Sequence, residues 1–341
     1  MADPLVPLDR IAPVLAQALS DERWLDVTAT LIAGGKSNLT YRLTSPAGEA
    51  VLRRPPSGRL LPRAHDMARE ARIQLALAGS EVPVAPVLLV QSAELIGVPF
   101  YVMGMVEGHV LRDELPEGYA RSQADRTAIT DTLVGTLADI HRLDPAAVGL
   151  GDLGRPEGFM ARQVERWSDQ WERSRSRPVA AVDTLAARLR GIRFPPASGA
   201  LVHGDFRLDN CLLDVDDPGR VNAVLDWELS TLGDPLADLG MLLLYWTEAG
   251  DPPPLLTPAL TASPGFPGRS SVIERYADLT GADLTALPAY VAFAHFKFAV
   301  IAQGIAARVE AEAMAGQQFG DLAGEVERIA AAGLDHLVQH H

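Results

Sequence analysis

One stretch near the middle of the chain, residues 201–214 (LVHGDFRLDNCLLD), constrains it more than any other. An apolar strand runs into His203-Gly204-Asp205, Asn210 follows after four further residues, and a second apolar strand comes next. A third apolar strand, in VNAVLDWE (221–228), ends on Asp226. Phosphoryl transfer from Mg-ATP needs such a set. A carboxylate must sit near the acceptor hydroxyl, and an amide oxygen plus a second carboxylate must hold the metal on the β- and γ-phosphates. Magnesium prefers hard oxygen ligands and keeps several waters, so one Asn and one Asp are enough from the protein. A loop carrying Asp205 and Asn210 can place both on one edge of a cleft. Asp205 in an isolated HGD would read equally well as a turn residue; the spaced set is what carries the signal. His203, abutting an apolar strand, reads as a hydrogen-bonded positioning residue. Cys211 reads as packed inward, without chemistry.

Composition narrows the partners. The 341 residues are 48% hydrophobic and 22% charged, enough for two lobes with a real core and unlike a disordered chain. No run of about 18 uncharged apolar residues exists; residues 290–307 are interrupted by His295, Lys297 and Gln303. The start, MADPLVPLDR, lacks the basic-then-apolar layout of a secretory signal, so a cytoplasmic protein with no membrane segment is expected. Cys211 is the single cysteine, which excludes an internal disulfide or a multi-thiolate zinc site. Residues 1–106 carry ten basic and ten acidic residues, so the whole net charge of −14 falls on 107–341. Such a chain repels polyanions, and no nucleic-acid partner is expected. Of 30 cationic residues only Lys36 and Lys297 are lysines.

Periodicity divides the chain at about residue 106. Residues 7–20 read as an amphipathic helix with Ile11, Leu15 and Leu19 on one face. Short β-type stretches follow at 27–33, 39–44 and 49–54, separated by GGKSN and SPAG turns. A helix at 64–77 and strands at 87–90 and 98–103 complete a small antiparallel lobe with one helix, 1–106. The lobes would join near Gly104 to Gly108. Residues 107–341 read as mainly helical, at 120–143, 156–176, 180–192, 234–247, 270–280, 284–307 and 317–337. Strand-like pieces stand at 200–202, 211–214 and 221–225. The Pro-rich stretch 251–268 reads as a loop, with a lid as the alternative. The fold class is therefore α+β and bilobal.

With these stretches in view, the chain resembles the aminoglycoside-phosphotransferase family, with its protein-kinase-like fold, over roughly residues 27–310. A finer likeness is to the kinase-like domains found with, or fused to, acyl-CoA dehydrogenases. It is carried by GGKSNLTYRL (34–43), VLRRPPSG (51–58), AHDMAREARI (64–73), GVPFYVMGMVEGHV (97–110) and VLDWELSTLGDPLADLGMLL (224–243). The resemblance implies Asp205 as catalytic base, Asn210 and Asp226 as magnesium ligands, and Asp238 as a structural acid. It implies ATP and Mg²⁺ as cofactors. Gly34, Gly35, Ser37 and Asn38 would cradle phosphates, since glycines let backbone N–H groups approach phosphate oxygens. Met103 and Met105, where the lobes would join, are added to the nucleotide-contacting set.

One departure stands out. Kinases place a lysine on the third strand, paired with the phosphates and a helix glutamate, whereas this chain has Arg53-Arg54 and no lysine between 37 and 296. Register assigns Arg53 to the place, with Glu70 as partner. A guanidinium forks across two oxygens and stays charged. The alternative is a pair of arginines solvated on an edge strand.

The expected acceptor is a hydroxyl on a small molecule. The acidic second part would suit a cationic aminoglycoside, whereas the finer likeness implies a hydroxy acid or hydroxyacyl-CoA. Arg162, Arg166, Arg173, Arg175 and Arg177, with Trp167 and Trp171, either form a CoA-binding helix face or an ordinary charged surface helix. A nucleotide-binding pseudokinase without turnover stays open because of the missing lysine. A protein kinase is disfavoured because no A-P-E motif follows Asp226. The oligomeric state is not legible.

Overall fold

The computed structural model describes residues 5–32, 38–56, 66–310 and 320–338. The chain forms two compact units, Met1–Gly108 with Asn222–Leu229, and His109–Val221 with Ser230–His341. The segment carrying Asp226 therefore belongs to the first unit, although helices of the second surround it in sequence.

The first unit contains α1 (Leu8–Leu19), β1 (Thr28–Leu31), β2 (Leu39–Ser45), β3 (Gly48–Arg54), α2 (Met67–Leu77), β4 (Val87–Gln91) and β5 (Phe100–Gly104). The strands make one antiparallel sheet in the order β1-β2-β3-β5-β4. Along β2 the period is two: Tyr41 and Leu43 are buried while Arg42 and Thr44 are exposed. One core gathers Ile11, Leu15, Tyr41, Leu43, Leu52 and Val102. A second gathers Val51, Met67, Ala71, Tyr101 and Met103. Alternate residues of β3 and β5 thus feed different cores, and β3 is central, not an edge. Parity does the rest. Arg53 shares the side of Val51 and faces α2, whereas Arg54 turns the other way and donates to the carbonyl oxygens of Leu5 and Pro55. A slip of one residue would exchange the two arginines.

The second unit holds β6 (His109–Val110), α3 (Gln123–Arg142), α4 (Phe159–Ser174), α5 (Ala180–Gly191), β7 (Ala200–Val202) and β8 (Cys211–Leu213). Strand β9 (Val221–Val224) crosses into the first unit's segment. Then come β10 (Thr231–Gly233), α6 (Pro235–Tyr245), α7 (Arg269–Thr280), α8 (Leu287–Glu310) and α9 (Leu322–Val338). β6 pairs with β8 and β7 with β10, both antiparallel. The sequence reading lacks β6 and β10, which are two and three residues long, too short for alternation to show. Asp234 caps α6 by accepting from the Leu236 N–H at 3.0 Å, and Tyr290 of α8 donates to its other oxygen at 2.5 Å. Gly240 lets the two helices touch: a Cβ there would lie 2.8 Å from the Tyr290 backbone. Among the described residues α8 alone is long and apolar enough to cross a membrane, yet 72% of that window is buried inside the protein. It is a core helix, packed by α4, α5, α6 and α9.

Burial also sets a pH response. On α8, the His295 ring bonds through Nδ1 to the Val291 carbonyl oxygen at 2.8 Å and faces His336 of α9, ring centres 5.1 Å apart. Burial pulls its pKa down to about 4, and His336, Arg269 and Arg328 add to the effect. The folded value lies below the unfolded one. Stability from neutral His295 is thus complete above about pH 6.5 and is lost as pH falls toward 4, by about 1–3 kcal/mol. Melting temperatures of His295→Gln should lose that acid slope; a slope equal to the parent's would remove the assignment.

Candidate active site

The second unit supplies an acidic loop braced from three helices. Leaving β7, the chain passes His203 and turns at Gly204, whose φ of +86° suits glycine. Both the His203 and the Gly204 N–H donate to the Asp238 carboxylate of α6, at 2.6 and 2.8 Å. His141 of α3 adds Nε2 at 3.3 Å, with its Nδ1 on the Tyr276 hydroxyl at 2.7 Å. Burial alone would raise the Asp238 pKa, but the His141 bond, the two nearby imidazoles and the Gly204 amide hold it below the usual carboxylate range. The acid expected to be structural occupies such a place.

Asp205 comes next. Its Oδ1 accepts from the Tyr245 hydroxyl at 2.9 Å, and its Oδ2 lies 3.4 Å from Arg207 Nε. Asn210 Nδ2 donates to the Asp205 backbone oxygen at 2.8 Å and to Oδ2 at 3.3 Å. That fixes the amide and leaves its carbonyl oxygen as the atom to offer a cation. Arg207 also pairs with Asp209 at 3.1 Å and lies over the Tyr245 ring, 5.1 Å from its centre. His203 Nδ1 accepts from the Asp205 N–H at 3.3 Å, so its ring orients the loop. Cys211 is fully buried, which pushes its thiol pKa up and leaves it inert.

Sequence reasoning missed Tyr245, Arg207 and Lys297. Lys297, on α8, donates from Nζ to the Gly204 carbonyl at 2.8 Å and lies 5.7 Å from the centre of the Trp167 ring. Burial lowers its pKa while Asp205 and Asp238 oppose the fall. The available signal was one lysine in an apolar helix of a chain that otherwise uses arginine. Lys297→Met is expected to lower turnover about ten- to a hundredfold through a displaced Gly204–Asp205 peptide. Nucleotide affinity should hold, and Lys297→Arg should restore part of the loss. A change confined to nucleotide affinity would overturn this.

The first unit holds a second charged cluster. Arg53 Nη2 lies 3.2 Å from Glu70 Oε1 and 3.1 Å from Asp226 Oδ1, and the Arg53 side chain is only 11% exposed. Burial works against the guanidinium charge, and Glu70, Tyr101 and Asp226 more than restore it. Burial pushes the Glu70 carboxyl up to about 7 against the pull of Arg53. Asp226 has φ +65°, a backbone state rarely taken by residues other than glycine; such strain gathers at functional positions. The turn beyond it is pinned by the Trp227 indole N–H on the Val224 carbonyl at 3.0 Å. Asn38, expected near phosphate, donates to Glu228 Oε2 at 2.9 Å and braces this turn. Met103 is buried beside α2, with Met105 partly buried against the same cluster. Gly34, Gly35 and Ser37, with Lys36, lie outside the described residues.

The residues suit the expected groups. Arg53 Nε is a buried donor without a well-aligned hydrogen bond, and a phosphate oxygen would satisfy it. Asn210 and Asp226 offer the hard oxygens magnesium takes. Among the described residues no group of three His, Cys, Asp or Glu forms a softer metal site. On the helix offered for CoA, one of the two tryptophans and four of the five arginines are engaged within the protein, while Arg166 lies over the half-buried Trp167 ring, 5.8 Å from its centre. Trp171 is 1% exposed, with its indole N–H on Asp183 at 2.8 Å, and cannot stack on a ligand. Arg162 caps the carbonyls of Arg155 and Glu157, Arg173 bonds Gln170, Arg175 pairs with Glu172, and Arg177 donates to the Ala323 carbonyl.

Comparison with known proteins places the chain in a family. The rat acyl-CoA dehydrogenase family member 11 is 38% identical over 294 residues, 85% of this chain but 37% of the rat protein. The mouse acyl-CoA dehydrogenase family member 10 is 35% identical over 308 residues, 87% of this chain and 28% of its own length. The chain thus spans 37% and 28% of the lengths of these two relatives. Among solved structures, a Ralstonia eutropha protein provisionally assigned as an aminoglycoside phosphotransferase superposes with TM-score 0.78 at 34% identity, over 92% and 93% of the two chains. The aminoglycoside phosphotransferase APH(4)-Ia, in complex with ADP and hygromycin B, gives 0.63 at 15% identity, over 96% and 98%. The fold is protein-kinase-like. The family model described as APH, phosphotransferase enzyme family, matches residues 28–270, and the chain is a member of that family.

Proposed function

We propose that the protein transfers the γ-phosphoryl group of ATP, with magnesium, to a hydroxyl of a hydroxy acid or hydroxyacyl thioester. The observation that carries the reading is the Asp205 carboxylate, oriented by Tyr245, Arg207 and Asn210 on a loop that Asp238 clamps. Asp205 accepts the acceptor proton as the hydroxyl oxygen attacks in line; the new P–O bond forms as the bond from the γ-phosphorus to the β-phosphate oxygen breaks and ADP leaves. Arg53 binds phosphate oxygens and offsets their charge, a task its fork-shaped guanidinium performs while also holding Glu70. Asn210 and Asp226 would hold the magnesium ion, which when bound supplies charge neutralisation on the phosphates. Support for an acyl-bearing acceptor comes from the relatives named as acyl-CoA dehydrogenase family members. The test is a screen of ADP release with hydroxy acids, hydroxyacyl-CoAs and aminoglycosides. Stimulation by aminoglycosides alone overturns the acceptor class. Binding of Mg-ATP with no product from any hydroxyl compound overturns the enzyme in favour of a scaffold.

A further inference from the structure

In the second unit, α6, α7, α8, α9 and the stretch after α6 enclose a groove of about 790 Å³, within the range of small-molecule sites. Leu243, Leu287, Val291, Phe298, Ile329 and Ala332 give it mostly hydrocarbon walls. Its cations are already matched: Arg269 pairs with Glu248 at 2.8 Å and Asp251 at 2.5 Å, and Arg328 with Glu325 at 2.7 Å. An anion would have to displace these acids, and a polycation would find them taken, leaving only the exposed Asp335 of the wall. Burial keeps the ring of His295, a further wall residue, neutral. The groove therefore favours an uncharged, apolar occupant.

The groove also lies beside Tyr245, the side chain that orients Asp205. Phe298 meets the Tyr245 ring edge-on, centres 5.7 Å apart, and the Tyr245 hydroxyl bonds Asp205. Thr257 lines both the groove and a smaller crevice walled by Tyr245, Arg207 and Asp209. We infer that this groove takes the uncharged aliphatic part of the acceptor, with its hydroxyl directed through the crevice to Asp205. The inference rests on the phosphotransferase reading and adds where the acceptor's unreactive part lies and what it is made of.

The test uses the neutral solvatochromic dye prodan on the full chain, displaced by methyl esters of 3-hydroxybutanoic, 3-hydroxyhexanoic and 3-hydroxyoctanoic acids. Prodan emission should shift to the blue on binding. Each added methylene should tighten displacement roughly two- to fourfold, as burial of hydrocarbon requires. Ala332→Trp, which projects a large ring into the groove, should lose prodan binding and keep nucleotide binding. Equal displacement by all three esters, stronger displacement by kanamycin, or unaltered binding in Ala332→Trp would each overturn the inference. If that variant does not fold, the ester series on the unaltered protein decides alone. Failure of the broader reading looks different: the dye and esters bind with graded affinity, and no hydroxyl compound is phosphorylated.

Discussion

Asp205→Asn is expected to lower kcat by a factor on the order of 10²–10⁴, the usual cost of losing a general base. Asparagine keeps the shape and an oxygen for the Tyr245 hydroxyl, so the loop survives. What goes is the site for the acceptor proton, together with one of the two negative partners of Arg207, which keeps Asp209. Nucleotide binding should persist, because the arginine assigned to the phosphates belongs to the other unit. Steady-state kinetics beside nucleotide titration, followed by tryptophan fluorescence, would separate the effects. A variant with more than a tenth of parental kcat would remove Asp205 from the chemistry.

Asp238→Ala should damage both activity and stability. It strips acceptors from the His203 and Gly204 N–H groups and from His141, of which His203 and His141 are buried and Gly204 half-buried. Breaking one partner of a buried charge network costs about 3–5 kcal/mol, because the groups left behind cannot reach water. Denaturant midpoints should fall accordingly, and turnover should drop further than Lys297→Met because the whole turn loses its clamp. Asp238→Asn separates the roles: it keeps one acceptor and should recover part of the stability with little of the activity. A midpoint unchanged in Asp238→Ala would show that the network does not hold the loop.

Much of the fold was legible because its elements are long and periodic. The α-helices of 107–341 and the β2–β3 hairpin follow from apolar spacing and from the SPAG turn, whereas the pairing of β5 with β3, which makes β3 central, does not. Arg53 beside Glu70 was readable for a simpler reason: strand parity leaves each arginine of β3 one face. The contacts that cross long stretches of chain were not legible. Nothing local to Tyr245 says that its hydroxyl meets a carboxylate 40 residues earlier. Nor does α8 announce that Lys297 serves Gly204, 93 residues away. Asn38 shows the same limit in reverse, since a turn residue suited to phosphate is engaged by Glu228, 190 positions on. The assignment of 222–229 to the first unit is likewise a property of packing, invisible to periodicity.

The guanidinium on β3 has a chemical consequence outside catalysis. Acyl-phosphate nucleotide reagents mark kinases by forming an amide with the strand amine beside the phosphates. Arg53 offers no such nucleophile at neutral pH. Profiling by that route would leave this protein unlabelled at the strand however well it holds a nucleotide, and the same inertness protects the position from spontaneous acylation by reactive thioesters.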